Sequence, residues 1–168
     1  SMSATSAVLT GLESPASDEA PGRLSRTAVP DSFQARAIIA DLRARGQQRV
    51  AVVYQDDAYG TGMAGELEAR FTGAGESLEA YAFGTDPRSA LEAVAADATL
   101  GEVVFVGAVE QVRGFLQFVA GNTAFDGRQL FVTDTAASVD LWAAPAAPDA
   151  VYARLRGTRP GAPTGTVN

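Results

Sequence analysis

The residues of this chain that could do chemistry gather in one stretch, Asp56-Asp57-Ala58-Tyr59-Gly60-Thr61-Gly62-Met63-Ala64-Gly65, and at one distant carboxylate, Asp134, between Thr133 and Thr135. Gly60, Gly62 and Gly65 spell G-x-G-x-x-G after a strand-like run, with Asp86 about twenty residues further on, which is the string form of a dinucleotide cradle. The mechanism behind the string fits less well. A cradle needs its first glycine almost at the strand end, so that helix amides meet the pyrophosphate. Here residues 55 to 59 intervene, and Asp56 and Asp57 put negative charge where phosphate would sit. The structural alternative is glycine for a tight loop and close helix packing.

Each remaining candidate also has a structural alternative. Asp56 and Asp57 could serve as a carboxylate pair for acid/base or metal work, but neighbours in sequence point apart, and a solvated loop capping the next helix explains them as well. An acidic pocket of the response-regulator receiver type would need an aspartate after the third strand and a lysine after the fifth. Gly107 follows Val106, and the chain has no lysine. Tyr59 carries an aromatic face and a hydroxyl beside two glycines, a combination that packs on a small ligand while donating one hydrogen bond, or simply covers a sheet edge. Asp134, at the end of a strand, would attract an ammonium group or cap the helix after it.

Composition closes off much other chemistry. All 13 cations are arginine, and His, Lys and Cys are absent. That removes a thiolate nucleophile, a Ser-His-Asp relay, zinc sites with sulfur or imidazole ligands, Schiff-base chemistry and a Walker-type lysine. Carboxylate, hydroxyl and guanidinium groups remain, so we expect no enzyme activity, no cofactor and no metal. The 20 acidic residues give a net charge of −7, which repels a phosphate backbone and makes nucleic acid an unexpected partner. Without cysteine the redox compartment is undetermined. No run is long enough to span a membrane, and Ser1-Met2 reads as a tag remnant, so a secretion signal or lipid anchor could belong upstream.

The elements that must position these residues follow from hydrophobic period. The chain has 168 residues, 46% hydrophobic and 20% charged, which suits one core. Residues 1–29 are rich in Ser, Ala, Thr, Gly and Pro and read as an extended or poorly ordered lead-in. A helix begins at Asp31 or Ser32 and carries Phe33, Ala37, Ile38 and Leu42 until Gly46 stops it. Strands are expected at 49–54, 78–83, 103–106, 130–133 and 150–155, because β-branched runs suit a sheet covered on both faces. Helices are expected at 62–74, from Pro87, at 109–120, and briefly around 138–142. This order implies an α/β fold, a doubly wound, mostly parallel Rossmann-like sheet with helices on both faces. Ligands bind such sheets at the carboxyl ends of the strands, which singles out loops 55–60, 107–110 and 134–137.

At these loops the sequence resembles the branched-chain amino-acid-binding class of type I periplasmic binding proteins, the extracellular receptors of ABC importers. An ordered series carries the resemblance. Ser3-Ala4-Thr5-Ser6 leading to Leu9-Thr10 is similar to the family's Ala-Thr-Ser-Pro-x-Leu-Thr segment. Leu24-Ser25-Arg26-Thr27-Ala28-Val29-Pro30-Asp31, with Gln34 after it, is similar to the Phe-Arg-Thr-x-Pro-x-Asp-x-x-Gln hinge crossing. Asp57-Ala58-Tyr59-Gly60-Thr61-Gly62 matches the Tyr-Gly-x-Gly loop, and the strands at 103–106 and 130–133 fall at the expected spacings.

The resemblance implies a ligand held in a cleft between two lobes. Ser3, Ala4 and Thr5 match the segment that holds the ligand carboxylate. Tyr59 matches a second-lobe tyrosine that meets the ligand, and Asp134 matches an acidic position that pairs with its ammonium. Ala108 stands where an aromatic often contributes to the pocket, a departure that bears on specificity. The implied layout is a lead-in from the first lobe and hinge over 1–29, a ligand-binding lobe over 30–153, and a hinge crossing and tail over 154–168. The implied role is solute capture for a membrane permease outside the cytoplasm, with an amino acid or similar small molecule as ligand. A ligand-sensing module of the same fold and a nucleotide-binding enzyme domain are the alternatives. With most of the first lobe missing, a dimer through the truncated face is a further expectation.

Overall fold

A computed structural model of the chain describes residues 30–137, 141 and 144–158. The lead-in at 1–29, including Ser3, Ala4 and Thr5, and most of the short helix expected around 138–142 lie outside them.

Helix α1 (Asp31–Ala44) starts directly after Pro30 and turns Ala35, Ile38, Ile39 and Leu42 inward. It stops as the spacing predicts. Gly46 takes a positive φ of 69°, its amide donates to the Arg43 carbonyl, and the Gln47 amide donates to the Leu42 carbonyl, a closure that a Cβ would oppose. Strand β1 (Arg49–Gln55) follows, buried from Val50 to Val53.

Helix α2 (Ala58–Arg70) differs from the expected span of 62–74. It starts earlier because Asp57 caps it, its Oδ1 accepting from the Gly60 amide at 2.7 Å. Gly60, Gly62 and Gly65 therefore lie within the helix rather than in a loop before it. Gly60 is required by proximity, since a Cβ there would lie 2.0 Å from the Gln55 carbonyl oxygen.

Strand β2 (Ser77–Phe83), helix α3 (Arg88–Ala96), strand β3 (Glu102–Val106), helix α4 (Val109–Ala120) and strand β4 (Gln129–Val132) then alternate as expected. The end of the lobe differs. Residues Asp149–Tyr152 form a short helix, α5, and the last strand β5 is Leu155–Gly157 rather than 150–155. Pro148 fixes the extended backbone that precedes a helical turn, and its carbonyl accepts from the Val151 amide, so the apolar run Ala150-Val151-Tyr152 coils instead of extending. The sheet thus continues beyond Ala153.

All pairings in the five-stranded sheet are parallel, in the order β2-β1-β3-β4-β5. The fold is α/β and doubly wound. On one face α1 and α2 pack on Val50, Val52, Val104, Val106 and Phe131. On the other, α3 and α4 pack on Ala51, Val53, Val103, Phe105 and Leu130, with Phe105 stacked between Phe83 and Phe115 at centroid distances of 5.4 and 4.7 Å. Continuous apolar strands are explained by this burial on both sides.

One ion network ties the layers together. Glu102, fully buried at the start of β3, receives both guanidinium ends of Arg45, with Arg45 Nη2 at 2.7 Å from Oε1. Arg45 also holds Asp41, and Asp41 accepts from Arg156 of β5 at 2.7 Å, so α1 is fastened to β3 and β5. Burial pushes the Glu102 carboxyl up despite the opposing guanidinium.

Candidate functional site

The order of the strands reverses around β1 and β3, and the loops after them open into a depression of about 510 Å³. It is lined by Gln55, Asp57 and Tyr59 after β1, by Gly107, Ala108, Val109, Glu110 and Gln111 after β3, and by Thr135 after β4. These are the three loops singled out by the strand-end argument. The neighbouring strand ends are stitched together below it. The Thr135 hydroxyl donates to the Gly107 carbonyl at 2.8 Å and lies 3.1 Å from the buried Thr133 hydroxyl. Gly107 has no room for a side chain, since a Cβ would meet the Phe105 ring at 2.9 Å.

Tyr59 stands on the first turn of α2, placed there by the Asp57 cap. Its ring packs against the core between α1, α2 and the sheet, while its hydroxyl reaches Gln34 Oε1 at 3.1 Å and Asp134 Oδ1 at 3.2 Å. Burial and the Asp134 carboxylate push its phenol far above the ordinary range, so it keeps its proton and can donate. Asp134 sits in a single 3-10 turn after β4, Asp134–Ala136. Its Oδ1 also accepts from Gln34 Nε2 at 2.8 Å, and the same Nε2 donates to the Thr158 hydroxyl at 2.6 Å.

The structure thus brings Tyr59, Ala108 and the turn of Asp134 to one place. Tyr59 and Ala108 line the depression directly. Asp134 joins it through Tyr59 and through its neighbour Thr135, with its Oδ1 engaged toward α1. Ala108 is exposed, at the foot of α4, where an aromatic side chain would have narrowed the space. The loop that would meet a pyrophosphate in a dinucleotide cradle holds Asp56 and Asp57, with Asp57 used as a cap. No group of three or more acidic, His or Cys side chains able to hold a metal occurs among the described residues.

In the sequence Gln34 stands out only through its place in the hinge-like motif, yet it is the hub of this bonding. Its partners Asp134 and Thr158 lie 100 and 124 residues away, so no local spacing marks it. Thr135 and Gly107 are likewise joined only by the topology.

No protein-family model matches the chain, and no curated protein matches it. Solved structures do. The chain is similar to an extracellular ligand-binding receptor from Verminephrobacter eiseniae ef01-2, with 22% identity and a TM-score of 0.51 over 62% of this chain and 30% of that one. It is similar to a substrate-binding periplasmic protein from Ralstonia solanacearum, with 17% identity and a TM-score of 0.54 over 63% and 30%. It is also similar to a fatty acid ABC transporter substrate-binding protein from Thermomonospora curvata, with 16% identity and a TM-score of 0.59 over 73% and 32%. The matched region spans about a third of the length of these structures. No described helix is long and apolar enough to cross a membrane. In its parallel sheet, in the placement of its loops and in these matches, the chain has the fold of one lobe of a type I periplasmic binding protein.

Proposed function

We propose that the chain supplies one wall of a two-lobed extracellular solute receptor, which captures a branched-chain or related amino acid by lobe closure and passes it to the membrane permease of an ABC importer. No covalent chemistry is involved. The observation that supports this reading is the charge of the depression, whose charged lining residues are the carboxylates Asp57 and Glu110, with Asp134 bonded to its lip through Tyr59. An acidic wall attracts an ammonium group and repels a carboxylate. In this reading Tyr59 and Asp134 meet the ammonium end of the ligand, and Ala108 leaves room for its side chain. Ser3, Ala4 and Thr5 hold the carboxylate from the first-lobe side of the cleft.

One of the similar structures is a fatty acid ABC transporter substrate-binding protein, and a fatty acid would bring a carboxylate instead of an ammonium. Calorimetry of the chain with L-leucine, L-valine and octanoate separates the two. We expect weak binding of the amino acids, lost in Asp134→Ala, and no heat from octanoate. Octanoate binding, or leucine affinity unchanged in Asp134→Ala, contradicts the reading.

A further inference from the structure

Gln34 offers a side-chain path from the lip of the depression to the end of β5. Its amide orientation is dictated by chemistry: a carboxylate only accepts, so the nitrogen must face Asp134 and the oxygen must face the Tyr59 hydroxyl. The Nε2 group then divides its two protons between Asp134 Oδ1, at 2.8 Å, and Thr158 Oγ1, at 2.6 Å. Thr158 directly follows β5 and is anchored to the sheet by its amide, which donates to the Val132 carbonyl at 3.2 Å. Gln34 itself stands on the first turn of α1, just after Pro30. One amide therefore contacts the lip, the acidic turn and the end of β5, and belongs to α1.

We propose that Gln34 is a positioning residue that couples ligand contact at Tyr59 and Asp134 to Thr158 at the end of β5. The proposal rests on the reading of Tyr59 and Asp134 as ligand contacts. By holding Oδ1, Gln34 fixes the Asp134 rotamer and with it the placement of the second carboxylate oxygen. A ligand that draws on the Tyr59 hydroxyl or on Asp134 removes a partner from Gln34, and the amide's hold on Thr158 changes with it.

The coupling can be read without a ligand. In the chain carrying 13C-methyl threonine, Tyr59→Phe removes the hydroxyl that reaches both Gln34 Oε1 and Asp134 Oδ1, the two groups that Gln34 joins, and it should displace the Thr158 methyl resonance. In a Gln34→Met background, which keeps the length of the side chain and removes its donor and acceptor, the same substitution should leave Thr158 in place. Gln34→Asn, too short to span the partners, should behave like Gln34→Met and provides a second background if the first folds poorly. A Thr158 displacement that persists in both backgrounds, or is absent in the wild-type chain, overturns the coupling. Adding L-leucine then separates this proposal from the functional reading. Leucine should displace Thr158 in the wild-type chain and not in Gln34→Met, where binding persists at reduced affinity. If leucine binds nowhere while the ligand-free displacements follow the expected pattern, the functional reading fails and the internal coupling stands.

Discussion

Asp57 and Gly60 together decide where α2 begins, and with it where Tyr59 stands. The aspartate accepts from the Gly60 amide, and the glycine lets that turn press against the end of β1. Asp57→Ala should cost about 1 kcal/mol of stability, the usual loss for a helix cap. Gly60→Ala should cost about 1–3 kcal/mol through overpacking against the Gln55 carbonyl, and urea unfolding of both variants measures the difference. A single titrating group also makes a clear prediction. The Arg43 guanidinium, helped by the Gly73 amide, holds the Glu76 carboxyl down at about 2. A lowered acid pKa gives stability that is present above the ordinary glutamate range and is lost as pH falls toward 2. The urea midpoints of wild type and Glu76→Gln should therefore differ at neutral pH and converge in acid.

The fastening of α1 to the sheet is a property of paired elements rather than of any one residue. Glu102 is buried at the start of β3, and Arg45 at the end of α1 is its counterion. Arg45→Met leaves that carboxylate uncompensated, and should cost about 3–5 kcal/mol near neutral pH. In the variant, the folded-state pKa of Glu102 rises further above its unfolded value, so the deficit should shrink as pH falls and the carboxyl takes up a proton. Replacing both partners, Arg45→Met with Glu102→Leu, should recover most of the loss, which a denaturant titration of the single and double variants will record. Elements were legible in the sequence where burial dictated pattern. The apolar runs of β1 and β3, and the helical period of α4 with Val112, Phe115, Leu116 and Val119 inward, follow from a sheet covered on both faces. Where a cap or a proline outweighed the apolar pattern, as at Asp57 and Pro148, the boundaries moved.

At the scale of the whole lobe, alternation of strands and helices was enough to foresee a doubly wound sheet and to direct attention to the strand ends. The depression does lie there, and Tyr59 and Ala108 line it. The sequence could not reveal that Asp134 is engaged by Gln34, because those residues meet only once α1 has folded back beside β4 and β5. Nor could it show which loop residues close the floor, since the Thr135 to Gly107 bond joins two strand ends across the sheet. The central claim is that this depression is a ligand-facing wall. The most direct test is a 15N-resolved NMR titration of the chain with L-leucine. Amide shifts are expected at Tyr59, at Gly107 to Glu110, and at Asp134 and Thr135. Shifts confined instead to the groove between α3 and α4, around Asp86, Leu91 and Phe118, would contradict it.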